Sequence, residues 1–454
     1  MTSPPHTMRG GTAGALAPFA VFLFGVGWLA LSGAPDERGF WPVLLAAMIT
    51  GMALARDRHR YAETVLAGMA QPIVMVMVLA WLLAGVLGTL MGAAGFVQAL
   101  VSLTSQLGLV GGGYVAAAFV SASLVSSSTG TSFGTILICG PLLYPAGGSV
   151  GADPVLLAGA LLAGATFGDS ISPISDTTIA SSGTQHADIG GTVRARLKYV
   201  LPAGLVAGIV YLLTGGGDAV SNTAPAAVAQ ANGWPMVLVP ILIIGMLLAK
   251  RHLVEALLTG ISASIVIALP AGLLTWPQLL RVEPGSYAAK SLVIDGLERG
   301  VGVSIFTLLL MGLVAGLEAS GTLQQLIGRL SSEQSSRAKT EVSMVATVMG
   351  AVLLTTHSVV AILAVGDYAR RAGETAGVPP YRRANLLDLA VCTWPFLLPY
   401  FLPTILMSAA TASGEASGMP RISALEVGLF NFYSWGLLAM LAIAVGLGYG
   451  REER

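Results

Sequence analysis

Residues 168–178 read Gly-Asp-Ser-Ile-Ser-Pro-Ile-Ser-Asp-Thr-Thr, a polar stretch set between long apolar segments. Pro173 lacks an N–H, so a helix running through it loses the hydrogen bond to the Asp169 carbonyl. We therefore expect a broken helix that offers this carbonyl, several hydroxyls and the carboxylates of Asp169 and Asp176. Hard oxygen ligands of this kind suit a small hard cation or a proton. The alternative is a capped loop in which Asp176 is the N-cap of the next helix.

The rest of the chain has the composition of a membrane protein. Of its 454 residues, 54% are hydrophobic and only 10% charged, with mean hydropathy +0.78, whereas soluble domains carry roughly 25% charged residues. Apolar runs of about 20 residues recur, the length that crosses about 30 Å of hydrocarbon. The sequence predicts an all-α polytopic membrane protein with about 10–13 crossings, the lipid bilayer being its partner. The 23 basic and 23 acidic residues cancel, so no nucleic-acid partner is indicated.

Clusters of basic residues predict which loops face the cytoplasm. The positive-inside rule assigns short Lys/Arg-rich loops to that side. The clusters are Arg56, Arg58 and Arg60; Arg194, Arg196 and Lys198; Lys250 and Arg251; and Arg370, Arg371, Arg382 and Arg383. No Lys or Arg lies between Tyr61 and Val193, a stretch that nevertheless contains Asp169 and Asp176. Carboxylates in apolar surroundings without a basic neighbour in sequence indicate a functional site.

Similar segments recur in the same order in the two halves of the chain. Residues 94–100 resemble residues 320–326, a Ser/Thr/Gly cluster near Thr129 has a counterpart at 355–358, and Pro173 pairs with Pro395. We interpret this as an inverted repeat, the alternative being chance similarity between Ala/Gly/Leu-rich helices. The predicted division is 1–60 for N-terminal spans, 61–215 for the first transport repeat, 216–300 for connecting spans and a loop, and 301–454 for the second transport repeat.

A hydroxyl- and glycine-rich run at 126–135 contains Thr129 and Ser132. Glycine and threonine disfavour helix interiors, and irregular polar backbone at membrane depth occurs only where it is buried or lines a cavity. We expect the tip of a re-entrant hairpin here, against the alternative of a polar surface loop.

The second half contains a comparable polar region around Pro395, Pro399 and Pro403, which must bend or unwind their helix. Asn385 and Asp388 form either a binding pair or a cap at the helix start. The other candidates for a second half-site are Thr393, His357, which is a proton carrier or a buried neutral histidine, and Trp394, which faces a substrate or packs as an interface aromatic.

The motifs at 129–135 and 168–178, with the run from Tyr381 to Pro399, resemble the NhaC-type sodium/proton antiporter family of the ion-transporter superfamily. The resemblance implies two inverted repeats, each with a re-entrant hairpin and a Pro-broken helix. It also implies exchange of Na⁺ for H⁺ in a multi-pass protein of the bacterial inner membrane, and a homodimer is a further expectation. The implied cation-site residues are Asp169, Ser172, Asp176 and Thr177, with Thr129 and Ser132 lining the hairpin and Asp169 and Asp176 as the Na⁺ ligands.

The favoured hypothesis is a secondary active Na⁺/H⁺ antiporter working by alternating access, with no cofactor beyond the transported ions. The alternative is a cation-coupled carrier of a small organic acid, amino acid or related solute, stacked near Trp394. A channel or a membrane-embedded enzyme is the third class. No catalytic set at the required spacing and no G-x-x-x-x-G-K-[ST] loop occur in the sequence, which predicts neither an enzyme nor direct use of ATP.

Overall fold

The computed structural model describes residues 8–31, 37–173, 175–217, 233–249, 251–283, 288–322, 325 and 336–451. A short antiparallel pair of strands, β1 (Arg281–Glu283) and β2 (Ala288–Lys290), accompanies a helical architecture. The first ten helices are α1 (Gly11–Leu31), α2 (Phe40–Leu54), α3 (Arg58–Met69), α4 (Pro72–Ala93), α5 (Phe96–Gln106), α6 (Gly112–Thr129), α7 (Ser132–Leu143), α8 (Pro154–Ile171), α9 (Asp176–Gln185) and α10 (Ile189–Thr214). They are followed by α11 (Leu238–Leu248), α12 (Leu253–Ala268), α13 (Trp276–Leu279), α14 (Leu292–Ala319), α15 (Arg337–Thr355), α16 (Ser358–Thr375), α17 (Pro380–Val391), α18 (Leu402–Ala410), α19 (Ala424–Leu429) and α20 (Phe432–Gly446).

The predicted fold class, an all-α polytopic membrane protein, is confirmed. In the described part of the chain, seven helices are long and apolar enough to cross a membrane, or eight if the bent pair Pro380–Leu397 and Leu402–Ser417 counts as one span. Four shorter apolar helices accompany them: Phe40–Leu54, Trp234–Met246, Leu253–Ala268 and Phe432–Gly446. The number of crossings stays a prediction. The helix α14 runs from Leu292 to Ala319 and so begins before residue 301, where the second transport repeat is predicted to start.

Glycines bring the central helices into close contact. A Cβ at Gly164 or Gly168 of α8 would clash with carbonyl oxygens of α6, and a Cβ at Gly85 of α4 would clash with the Gly296 carbonyl of α14. Small residues let helix backbones approach closely where lipid provides no hydrophobic drive between helices. The close contacts at Gly164 and Gly168 hold α8, which carries Asp169, against α6.

Two helix pairs have the form of the predicted hairpins. The first hairpin, α6 and α7, breaks at Gly130 in the left-handed conformation (φ 67°), and Thr131 then caps α7 by accepting from the Gly134 N–H. The second hairpin, α15 and α16, breaks in the same way at Thr356 (φ 52°), followed by extended His357. In each hairpin the two helices pack against each other.

Two broken helices complete the arrangement. The first broken helix consists of α8 and α9, with a break after Ile171 and around Pro173. The second broken helix consists of α17 and α18, joined through a 3₁₀ turn at Trp394–Leu397 and bent by 46°. The predicted interruptions by proline are therefore present in both halves.

Helix bounds recur at a constant interval, since Gly95 and Gly321, Gly130 and Thr356, and Pro154 and Pro380 each lie 226 residues apart. The starts of α9 and α18, at Asp176 and Leu402, keep the same interval. This regularity supports the internal repeat, but it pairs Pro173 with Pro399 rather than with Pro395. The inverted orientation and the proposed division of the chain stay predictions, and part of the 320–326 segment (residues 323, 324 and 326) lies outside the described residues.

Candidate functional site

The hairpin tips and the breaks of both broken helices meet at one cavity. Its free volume is about 390 Å³ including its opening. The lining residues are Thr131, Ser132, Phe133, Asp169, Asp176, Thr177, Thr356, His357, Ser358, Val359, Cys392, Phe396, Phe401 and Pro403. The two halves interlock around it, because α9 packs against α16 and α17 while α7 packs against α18.

Asp169 and Asp176 both line this cavity. Asp169 is 4% exposed, and its Oδ1 has no hydrogen-bond partner among the described residues. The hydroxyls of Ser132 and Ser175 are its neighbouring polar groups. Asp176 is exposed, and it is the first residue of α9; the N-cap is Ser175, so the N-cap interpretation of Asp176 is wrong. The carboxylate of Asp169 is thus enclosed and keeps one oxygen without a hydrogen-bond partner among the described residues, whereas Asp176 is accessible.

The backbone carbonyls at the breaks are only partly free. The Asp169 carbonyl, expected to be released by Pro173, accepts from the Ser172 N–H at 3.1 Å. A tighter turn at the helix end satisfies it, so it is not an open ligand. In the second half, the Val391 carbonyl that Pro395 releases accepts from the Ser358 hydroxyl at 3.5 Å. The second hairpin tip is thereby tied to the second broken helix.

Arg196 is the residue that sequence reasoning missed. The positive-inside rule predicts a cytoplasmic loop at this position, but Arg196 lies within α10 and is fully buried. Its Nη2 is 2.6 Å from Oδ2 of Asp388, which is itself 1% exposed, and its Nε donates to Asn385 Oδ1 at 3.0 Å. The detectable signal was helical phase, because Arg196 follows Thr192 by one turn on the buried face of α10.

Asn385 and Asp388 lie in the middle of α17, so the helix-start cap considered for them is wrong. Their common partner is Arg196. Asp388 also accepts from the hydroxyls of Thr177 at 3.2 Å and Ser181 at 3.1 Å. Since Thr177 lines the cavity, Asp388 lies one layer behind the cavity wall.

The remaining predicted residues divide between the cavity and its surroundings. Ser132, Thr177 and His357 line it, and the Nδ1 of His357 has no partner among the described residues. Four others do not line it. The hydroxyls of Thr129 and Thr393 bond back to their own helices, Ser172 is buried in the break and Trp394 is half-buried beside it.

Other buried charges serve a different region. Arg382 and Arg383, also assigned to a loop from the sequence, are buried in α17. Arg382 pairs with buried Glu341 at 3.1 Å, and Arg383 bonds to Gln185 at 3.1 Å. Breaking such a pair leaves an uncompensated buried charge, so we assign these contacts to stability.

The cavity contains acidic and hydroxyl oxygens and no Lys or Arg among its lining residues. No group of three or more His, Cys, Asp or Glu side chains that could hold a metal tightly occurs in the part of the chain that the structure describes. Broken helices and hairpin tips that enclose a polar cavity inside a helical membrane protein are the architecture of secondary transporters.

Comparisons of the sequence with known protein families and relatives agree with this class. The sequence model that describes the Na⁺/H⁺ antiporter family matches residues 19–216 of this chain. The Na⁺/H⁺ antiporter NhaC of Alkalihalophilus pseudofirmus is 25% identical over 73% of each chain, and the malate-2H⁺/Na⁺-lactate antiporter of Bacillus subtilis is 36% identical over 22% of each chain. A solved structure, the YdaH transporter of Alcanivorax borkumensis, aligns over 96% of this chain and 99% of its own with 16% identity and a TM-score of 0.40. The resemblance to NhaC-type Na⁺/H⁺ antiporters predicted from the motifs is confirmed.

Proposed function

We propose that the protein exchanges Na⁺ for H⁺ by alternating access, with Asp169 and Asp176 as the carboxylates that hold either ion. The observation that carries this proposal is the unpartnered Oδ1 of buried Asp169, which lies in a cavity that Asp176 also lines and that has no Lys or Arg among its lining residues. The family match supports it, because residues 19–216 include both aspartates.

Exchange follows from the energetics of the empty site. An uncompensated carboxylate away from water is costly, so Asp169 and Asp176 favour carrying a cation or protons whenever the cavity is closed to both sides. Na⁺ and H⁺ bind to the same oxygens and therefore compete. A carrier that changes its accessibility only when loaded moves one ion in one direction and the other in return.

The test uses purified protein in liposomes with a pH dye inside and an imposed pH gradient. Adding Na⁺ or Li⁺ outside is expected to collapse the gradient, whereas K⁺ is not. Asp169→Asn is expected to lose this response because the amide cannot neutralise a cation. Asp295→Asn, an exposed acid of α14 outside the cavity, is the matched control and is expected to keep it. An Asp169→Asn protein with wild-type exchange would contradict the proposal.

A second candidate is a cation-coupled carrier of a small organic anion. The observation that favours it is the set of helix N-termini at the cavity: α7, α9 and α16 begin at the lining residues Ser132, Asp176 and Ser358. Helix N-termini carry partial positive charge and bind carboxylates. The Bacillus subtilis relative is named for malate and lactate exchange. Uptake of labelled lactate or malate driven by Na⁺ or H⁺, without gradient collapse by Na⁺ alone, would establish this function instead.

The membrane location and the oligomeric state of the transporter are also proposals. We place it in a bacterial inner membrane as a homodimer without enzymatic activity, with transported Na⁺ and H⁺ in place of any cofactor. The antiporter relatives and the apolar helices support this placement. Light scattering on the purified protein in detergent checks the dimer.

A further inference from the structure

Arg196 joins both broken helices at the level of the cavity. Its Nη1 donates to the Ser170 carbonyl at 3.0 Å, at the end of α8, and to the Thr178 hydroxyl at 2.8 Å, in the first turn of α9. The same guanidinium reaches Asn385 and Asp388 on α17. One side chain therefore spans the break of the first broken helix and binds the second.

The carboxylates around Arg196 differ in whether they have a basic partner. The region holds three carboxylates, of which Asp388 is paired with Arg196 and also accepts two hydroxyl donors. Asp169 and Asp176 have no ion pair with a basic residue among the described residues. The guanidinium thus sits where a cation would bind Asp388.

The Arg382–Glu341 pair shows what an ordinary structural ion pair looks like in this chain. Arg382 connects α17 to α15, to Tyr199 and to the carbonyls of Ala444 and Tyr449. None of these contacts of Arg382 falls on a described residue of either break. Arg196 differs because its contacts fall on both sides of the break around Pro173 and on Asp388, whose partner Thr177 lines the cavity.

We propose that Arg196 is a positioning residue that acts as a built-in cation: it occupies Asp388, clamps the two broken helices together, and leaves Asp169 and Asp176 as the acidic pair that carries the transported ion. This inference rests on the proposed function. Arg196 keeps Asp388 from becoming a third carboxylate for Na⁺, and so keeps the site weak enough to release its ion.

The test measures the KM and the maximal rate of ²²Na⁺ uptake by proteoliposomes at one pH. Arg196→Gln frees the charge of Asp388 close to the cavity, and the added attraction is expected to lower the KM for Na⁺ about tenfold or more while the maximal rate falls through slow release. Arg196→Gln combined with Asp388→Asn removes both charges and is expected to return the KM to within about threefold of wild type. Arg196→Lys keeps the charge but loses the forked contacts, so the KM stays and the maximal rate falls.

Arg194→Gln is the matched control, since Arg194 is exposed two residues away on the same helix, and both of its kinetic parameters are expected to stay within about twofold of wild type. A structural role alone would leave the KM of Arg196→Gln unchanged or raise it, and that result overturns the inference. If Arg196→Gln does not fold, the double variant and Arg196→Lys test the inference instead. A KM for Na⁺ that differs from the expected value in either variant contradicts the inference. A wild type without Na⁺ uptake would contradict the proposed function itself, whereas an active wild type with unshifted variants contradicts this inference alone.

Discussion

Two buried aspartates in the same region differ in what satisfies them. Asp388 has a guanidinium and two hydroxyl donors, whereas Asp169 retains an oxygen without a hydrogen-bond partner. Buried charges are normally paired, so an unpaired oxygen in a cavity marks a place for a ligand. The difference supports the proposal that Asp169 binds the transported ion while Asp388 belongs to the surrounding contacts that hold the site.

Thr177 connects these two roles, since it lines the cavity and donates to Asp388. Thr177→Val keeps the shape but removes the hydroxyl, and we expect the KM for Na⁺ to rise several-fold and the free energy of unfolding to fall by about 1 kcal/mol. Flux assays and thermal unfolding in detergent measure the two effects. Thr214→Val, at an exposed helix position, is the control and is expected to change neither. An unchanged KM in Thr177→Val would exclude this hydroxyl from ion binding.

The breaks in the helices could be predicted from the sequence because proline and glycine act locally. Pro173 and the proline series from Pro395 indicated both broken helices, and the 126–135 run indicated the first hairpin tip. The partners of these elements could not be predicted. The sequence predicts a loop position for Arg196, because its contact with Asp388 joins residues 192 positions apart and leaves no local pattern. The prediction that the Asp169 carbonyl is free is wrong, because the helix end tightens and the Ser172 N–H donates to this carbonyl.

The first hairpin turns at Gly130, whose φ of 67° is a conformation that L-residues with a Cβ adopt at a cost. Gly130→Ala is expected to lower the free energy of unfolding by about 1–2 kcal/mol and to slow transport by displacing Ser132. Gly350→Ala, within helix α15 where a Cβ meets nothing within 4 Å, is the opposite case. It is expected to raise stability by up to about 1 kcal/mol. Equal effects of the two substitutions would show that backbone conformation does not hold the tip.

Across the whole molecule, helix bounds repeat every 226 residues, while the chemistry does not repeat with them. Asp176 at the start of α9 corresponds to Leu402 at the start of α18, and the first-tip residue Thr131 corresponds to His357. The two halves therefore share a backbone plan, and the acidic pair belongs to the first half alone. This asymmetry supports the proposal of one cation-binding pair at the shared cavity, around which the second half provides Asp388 and the Val391–Ser358 contact.

The orientation of the two halves is open to a direct test. Val110 and Ser336 lie 226 residues apart, each just before the first helix of a hairpin, and both are exposed. Inverted repeats would place them on opposite sides of the membrane, whereas parallel repeats would place them on the same side. Arg337 and Lys339 follow Ser336, and no Lys or Arg lies near Val110, so the positive-inside rule assigns Ser336 to the cytoplasm and Val110 to the outside.

Variants with one added cysteine, Val110→Cys or Ser336→Cys, treated with a membrane-impermeant maleimide, show on which side of the membrane each position lies. Cys139 and Cys392 are buried, so the unsubstituted protein provides a low background. We expect Val110→Cys to react in intact cells and Ser336→Cys to react only in inverted vesicles. Labelling of both from one side would contradict the inversion, and with it the idea that the two hairpin tips reach the shared cavity from opposite faces of the membrane. The acidic pair would then have to be exposed to the two sides in turn by some movement other than one that exchanges the roles of two inverted halves.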